Sequence, residues 1–221
     1  MRGLVPGLSP EITLSILDRA QGVPLYAVET VRMLLDRGLL EEVDGEYRPT
    51  GDIEDLEVPE TLHALIAARL DGLTPEERRL LQDAAVLGKT FTKPGVAALD
   101  GFDENQLDSH LTSLVRKEFL SVQADPQSPE RGQYGFVQDL VKKVAYDTIS
   151  KKERKAKHLA VADYLVTSWG DDEGEIVEVV ASHLVEAYQA APGRSGCRGD
   201  QEARPGHHDP GRRAGRLAGG Q

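Results

Sequence analysis

The stretch that decides the fold covers residues 57–91 and reads EVPETLHALIAARLDGLTPEERRLLQDAAVLGKTF. Its apolar residues recur at three- and four-residue spacing, which is the pattern of amphipathic helices. Thr74-Pro75-Glu76-Glu77 has the form of a capping box with proline at the first helical position. The stretch therefore predicts two successive helices, one from Pro59 and one from Thr74, at the centre of a mainly α fold.

Residues C-terminal to this stretch predict a small domain that mixes helices with a β-hairpin. A short helix is expected around Pro94–Leu99 and a longer one from Asp103, with Leu107 and Leu111 on its apolar face. Strands are predicted at 119–123 and 133–137, on either side of a turn-rich loop. Three helices followed by such a hairpin form a winged-helix arrangement, so residues 58–149, including a helix at 138–149, are predicted to be a winged-helix-like domain.

Residues 1–57 predict a smaller helical unit that ends in its own hairpin. Ser9-Pro10 is a helix start, and Gln21-Gly22 is a helix end. A second helix follows Pro24 and runs to Gly38, with an apolar stripe made of Leu25, Val28, Val31, Leu34 and Leu35. Asp44-Gly45 between two short runs is a strong hairpin signal.

Residues 150–192 predict two further helices, at about 152–168 and 175–190. Their pairing resembles the start of a tetratricopeptide-like (TPR-like) helical array, although two helices do not establish a repeat. Residues 193–221 differ in composition, since they are rich in Gly, Arg and Pro and contain one Leu. The composition predicts a disordered tail.

A second interpretation of residues 193–221 is a frameshift product. Codons compatible with His207-His208-Asp209 and the residues around them permit a helix-prone sequence in a shifted frame. Under this hypothesis the natural helical array is truncated, and Cys197, His207 and His208 have no function. A clean reading frame for this tail in close relatives would contradict it.

Composition and charge exclude several classes of protein. No apolar run approaches the roughly 18 residues that cross a bilayer, and no secretory signal is visible, so a cytoplasmic protein without membrane contact is expected. The single cysteine, Cys197, excludes an internal disulfide. The tail holds six Arg and three acidic residues, which leaves 20 of the 26 basic groups and 34 of the 37 acidic groups in residues 1–192. This excess of acidic groups in residues 1–192 disfavours binding to the phosphate backbone of a nucleic acid. The carboxylates of the predicted groove-facing helix at 103–119 also disfavour it.

The motifs that could carry chemistry have simpler interpretations. Gly88-Lys89-Thr90 resembles the end of a phosphate-binding loop, but Asp83 stands where the motif needs glycine, so a helix C-cap is predicted. His158 near Glu153 and His183 near Glu186 are isolated pairs, which disfavours a metal site. No nucleophile has a recognisable base, and we expect no enzymatic activity from the chain alone.

The chain resembles the signal-transduction ATPases with numerous domains, on three stretches that cover about residues 9–190. These are Gly22-Val23-Pro24-Leu25-Tyr26 within a helical lid, the stretch at 57–91, and YGFVQDLVKKVAYDTISKKERKAKHLAVADYL at 134–165. The resemblance is strongest to the branch fused to adenylate/guanylate cyclase domains, and similar modules occur in large LuxR-type transcriptional regulators. It implies a lid at 1–57, a winged helix and the start of a TPR-like array.

The same resemblance implies which residues meet the nucleotide. In this family the proline of the GxP motif lies against adenine, a role that would pass to Gly22 and Pro24, with Leu25 lining the same pocket. Many relatives have His where this chain has Gln138, and in related switch ATPases that His contacts a phosphate. Gln can donate a hydrogen bond but carries no charge, so the resemblance passes phosphate sensing to Gln138 only as a neutral donor.

Two hypotheses about function follow. In the first, the chain is a fragment of a larger ATPase that binds ATP or ADP with Mg through an upstream P-loop core absent here, and it serves as the nucleotide-responsive lid and regulatory segment. Its TPR-like helices would bind protein partners, and the output domain could be a cyclase or a DNA-binding regulator. In the second, it is a stand-alone interaction or transcription-regulatory module that acts without ATP.

Overall fold

The computed structural model describes residues 6–50, 58–123, 132–169 and 173–191, which are mainly helical with two small antiparallel sheets. The helices described there are α1 (Pro10–Ala20), α2 (Pro24–Asp36), α3 (Leu62–Asp71), α4 (Pro75–Leu87), α5 (Lys93–Asp100), α6 (Glu104–Arg116), α7 (Asp139–Asp147), α8 (Lys151–Trp169) and α9 (Glu173–Ala190). The strands are β1 (Leu40–Val43), β2 (Glu46–Pro49), β3 (Thr90–Phe91), β4 (Leu120–Val122) and β5 (Tyr134–Phe136). Most of the predicted loop at 124–132 and the whole tail at 193–221 lie outside the described residues.

Side-chain caps define most helix starts. Ser9 Oγ accepts from the Ile12 amide (3.3 Å) at the start of α1. The predicted capping box of α4 is complete, because Thr74 Oγ1 accepts from the Glu77 amide (3.2 Å) and Glu77 Oε2 accepts from the Thr74 amide (3.0 Å). Each cap satisfies amides that no preceding turn can serve.

Two local features differ from the sequence prediction. Helix α3 begins at Leu62 rather than at Pro59, because Thr61 Oγ1 accepts from the Ala64 amide (3.1 Å) and takes the cap position. Strand β3 was not predicted at all. Its two residues are too few for a periodic signal, and they become a strand only by pairing with β5.

The two sheets have different origins. Strands β1 and β2 form a hairpin whose turn residues, Asp44 (φ 57°) and Gly45 (φ 79°), are both left-handed, as a tight two-residue turn requires. The second sheet has the order β3-β5-β4, so the C-terminal strand lies between the other two. Its aromatic residues Phe91, Tyr134 and Phe136 pack against one another.

The main core lies among α3, α4, α5, α6, α7 and the three-stranded sheet. It includes the fully buried side chains Leu80, Leu81, Leu107, Leu111, Leu114 and Phe119. A second core lies between α1, α2 and β1 and is joined to α3 by Leu65. Burying apolar surface in both cores is the main source of stability for this arrangement.

Helices α8 and α9 pack against each other, and α8 also packs on α4 and α5. Lys155 Nζ, near the start of α8, donates to the carbonyl of Ala191 beyond the end of α9 (3.3 Å), so the two helices run antiparallel. Among the residues described, no helix combines the length and the apolar character that a membrane span needs.

Candidate functional site

A cleft of about 520 Å³ lies between the α1–α2 region, the β1–β2 hairpin and the end of α6. Apolar side chains of α1, α2 and the turn between them form much of its lining: Leu17, Ala20, Val23, Pro24, Ala27, Val28, Val31 and Leu35. Its polar lining consists of Arg32, Asp36, Glu42, Tyr47, Arg116, Lys117 and Glu118. An apolar surface with a few charged groups suits a small organic ligand that has both an apolar and a polar part.

The turn between α1 and α2 sets the shape of one end of the cleft. Gln21 (φ 46°) and Gly22 (φ 82°) are both left-handed, and the Val23 amide donates to the Ala20 carbonyl (2.7 Å). A Cβ on Gly22 would meet nothing within 4 Å, so it is the backbone angle rather than space that favours glycine there. Pro24 then opens α2 without an amide that would need a partner.

Helix α2 presents its apolar stripe partly to this cleft. Val28, Val31 and Leu35 line the cleft. The buried face of α2 contains two polar residues, Glu29 and Thr30, which are 0% and 1% exposed. Sequence periodicity identified the stripe but missed the buried polar residues, because their burial depends on partners in other parts of the chain.

Glu29 is the centre of a buried charge cluster. Its carboxylate accepts from Arg69 Nη1, from Arg32 Nη1 (2.6 Å) and from Gln138 Nε2 (3.0 Å). A buried carboxylate is tolerated only when donors and opposite charge replace its lost hydration. Here those donors come from α2 itself, from α3 and from the residue that precedes α7.

Arg69 connects this cluster to the rest of the structure. Its Nε donates to Asp36 Oδ2 (2.8 Å), its Nη2 donates to the Lys117 carbonyl (2.7 Å), and its guanidinium lies 4.3 Å from the centre of the Phe119 ring. Burial raises the pKa of the Asp36 carboxyl, and the neighbouring Arg69 only partly opposes that rise. One planar guanidinium thus joins α2, α3 and the α6–β4 turn, a geometry that lysine could not reproduce.

The residues that the resemblance assigns to a nucleotide site lie in different places in the structure. Gly22 and Pro24 line the cleft. Leu25 is half-buried and is not among the lining residues. Gln138 is not in the lining either; it donates to Glu29 behind the cleft, and its Oε1 has no hydrogen-bond partner. Arg32 links the two places, because it lines the cleft and also contacts Glu29.

The two histidines that were weighed as ligands contact each other. His158 Nδ1 and His183 Nδ1 are 2.9 Å apart, and His158 Nε2 is 2.9 Å from the Tyr146 hydroxyl. Within the described ranges no group of three or more His, Cys, Asp or Glu side chains could hold a metal ion. Gly88 caps α4 through its amide and the Ala84 carbonyl (3.2 Å), so the helix C-cap predicted at Gly88-Lys89-Thr90 is confirmed.

Comparisons with protein-family models, with curated proteins and with solved structures returned no match to this chain.

Proposed function

We propose that this chain is the lid and regulatory segment of a nucleotide-switched ATPase, and that the cleft beside Gly22 and Pro24 receives the adenine base. The observation that carries the proposal is the placement of both residues in the lining of one cleft of about 520 Å³. An adenine ring packs against apolar side chains and needs a few polar groups at its edge, and the cleft lining contains both kinds of residue. The chain has no phosphate-binding loop of its own, so a P-loop core must supply the triphosphate site and Mg.

The arrangement of residues 58–149 supports the regulatory part of the proposal. The order helix α4, strand β3, helices α5 and α6, then strands β4 and β5, with β5 in the middle of the sheet, is the order expected of a winged helix. Buried contacts of Glu29 and Arg69 attach this unit to the lid. A movement of the lid would therefore also move the winged helix, and an attached cyclase or regulator domain could respond to that movement.

The experiment is a titration of the ¹⁵N-labelled chain with adenosine, which has a base and no phosphate. We expect amide shifts confined to the residues that line the cleft and their neighbours, with weak affinity, no tight ATP binding and no ATP turnover. Leu17→Gln should weaken binding, since Leu17 lines the cleft. Leu14→Gln is the matched control, because Leu14 is exposed on the same helix and is outside the lining. Equal effects of the two substitutions, or turnover of ATP, would contradict the proposal.

A second candidate function, protein interaction independent of ATP, is favoured by the outer surface of α9. Val177, Leu184 and Tyr188 follow one another at seven- and four-residue spacing and are 59%, 47% and 64% exposed. Such a stripe suits a further helix stacked on the α8–α9 hairpin, as in a TPR-like array.

Sedimentation of the chain and of Leu184→Lys tests this second function. If the stripe is an interaction surface, the wild-type chain should bind a helical partner or self-associate, and the substituted chain should not. The thermal stability should be unchanged, because Leu184 is exposed. A monomeric wild-type chain that binds no partner helix argues for the first function.

A further inference from the structure

Arg32 makes two kinds of contact at the cleft. Its Nη1 donates to the buried Glu29 (2.6 Å), and its Nε donates to the Glu118 carboxylate. The side chain of Arg32 is 17% exposed, whereas that of Glu118 is 56% exposed. The contact with Glu29 is therefore protected from water, and the contact with Glu118 is an exposed ion pair, a kind that contributes little to stability.

Glu118 occupies a backbone position that favours glycine. It follows α6 with φ 57°, and its amide donates to the Val115 carbonyl (3.0 Å) while the Phe119 amide donates to the Leu114 carbonyl (3.0 Å). A left-handed residue after a helix is usually Gly or Asn, since the β-carbon of other residues is crowded there. The chain tolerates this strain at the residue whose carboxylate accepts from Arg32 Nε.

Two other charged groups of the cleft lining have partners, whereas Arg116, which also lines the cleft, is exposed. Lys117 Nζ is bound to both oxygens of Glu77 (2.8 and 2.7 Å), and Asp36 accepts from Arg69. Arg32 thus offers a guanidinium edge in the cleft that is covered only by an exchangeable, exposed carboxylate. A guanidinium fork is the side chain best suited to bind a phosphate group.

We propose that Arg32 binds a phosphate group of the cleft's ligand and that the Glu118 carboxylate pairs with Arg32 when that phosphate is absent. This inference rests on the proposed function, because it adds a phosphate contact to the adenine wall. Arg32 lies eight residues after Pro24 on α2, roughly 12 Å along the helix axis. A nucleoside diphosphate spans such a distance. Binding would release Glu118 from α2 and leave the inner contact with Glu29 in place.

The test uses inorganic pyrophosphate, which has no base, at constant ionic strength, with the Arg32 Nε–H resonance as the readout. We expect a saturable shift of this resonance in the wild-type chain. Glu118→Gln keeps the shape of the side chain and removes its charge, so it should tighten binding about two- to five-fold, the effect of losing an exposed ion pair. Arg32→Lys, which keeps the charge but loses the fork, should weaken binding, followed in this variant by the backbone amide shifts of α2.

Glu46→Gln is the matched control. Glu46 is 55% exposed and pairs with Arg48 on the β1–β2 hairpin, outside the lining of the cleft, so this substitution changes net charge by the same amount. It should leave the affinity unchanged. Equal tightening by both substitutions, or a titration that leaves the Arg32 resonance unmoved, would overturn the proposal. Adenosine binding with no pyrophosphate effect would reject the role of Arg32 alone, whereas failure of adenosine to bind would reject the base site.

Discussion

At the scale of single residues, Glu29 and Arg69 join α2 to α3 and to the α6–β4 turn. Both side chains are fully buried, and each is charged. Taking two charges out of water is costly, and their mutual attraction recovers that cost only when the remaining hydrogen bonds are also made. Here Gln138, Arg32, Asp36 and the Lys117 carbonyl make them.

Removal of one partner is therefore expected to be far worse than removal of both. Glu29→Ala should lower the free energy of unfolding by about 3–5 kcal/mol, because the buried Arg69 then loses its fully buried carboxylate partner and keeps only the more exposed Asp36. The double substitution Glu29→Met with Arg69→Met should recover much of this loss. Urea unfolding followed by circular dichroism measures both, and a double variant as unstable as the single one would refute the expectation.

Gln138 is predicted to act on stability through Glu29. Gln138→Glu places a second carboxylate where Gln138 Nε2 now donates to Glu29 (3.0 Å). Like charges at that distance repel, so the variant should lose about 1–3 kcal/mol at neutral pH. The loss should shrink as the pH is lowered and one carboxyl binds a proton. A pH-independent loss, measured by urea unfolding at pH 4.5 and 7.5, would mean that charge repulsion is not its cause.

At the scale of elements, the start of α4 is tied to α6 through one side chain. Glu77 completes the capping box and also accepts from Ser113 Oγ (2.6 Å) and Lys117 Nζ (2.8 and 2.7 Å). Burial by itself would raise the pKa of the Glu77 carboxyl, but the hydrogen bonds from Lys117 and Ser113 outweigh it and lower the pKa.

Glu77→Ala is consequently expected to cost more than Thr74→Ala. Thr74→Ala removes one cap and should cost about 1 kcal/mol. Glu77→Ala also leaves Lys117 and Ser113 without their partner. Because the folded-state pKa of Glu77 is depressed, its contribution is complete above the unfolded-state pKa and is lost as the pH falls through the folded-state value. Glu77→Gln should therefore flatten the acid limb of the stability curve, which thermal unfolding between pH 3 and 7 would show.

At the scale of the whole molecule, three polar side chains in contact connect α7, α8 and α9. They are Tyr146, His158 and His183. The neutral arrangement satisfies all three when the Tyr146 hydroxyl donates to His158 Nε2 and His158 Nδ1–H donates to His183 Nδ1. Arg154 and Lys142 add positive charge nearby, and Glu186 adds negative charge. Burial, with His183 and Arg154 close by, lowers the pKa of His158 to about 4, and burial also lowers the pKa of His183.

Acidification is expected to destabilise this junction. The unfolded chain binds protons at these histidines near pH 6.5 while the folded chain does not, so stability is complete above that pH and falls as the pH drops towards 4. The loss from His158 can reach about 3 kcal/mol. His158→Gln should remove much of this pH dependence, whereas His63→Gln, at an exposed position, should not. Thermal unfolding between pH 4 and 7.5 measures this dependence. The same dependence of stability on pH in both variants would contradict the expectation.

Local sequence signals determined much of the secondary structure of this protein. Serine, threonine and proline at helix starts and Asp44-Gly45 at the hairpin act through contacts within a few residues, so α1, α2, α4 and the first sheet could be predicted. The nucleotide contact of Gly22 and Pro24 is implied by the resemblance and stays a prediction, because the local sequence by itself indicates only a helix end followed by a helix start. Tertiary structure alone decided that Glu29 is buried, that Gln138 donates to it from 109 residues away, and that His158 meets His183. Such pairings depend on which helix faces are brought together, and no short-range pattern encodes the partner of a buried charge.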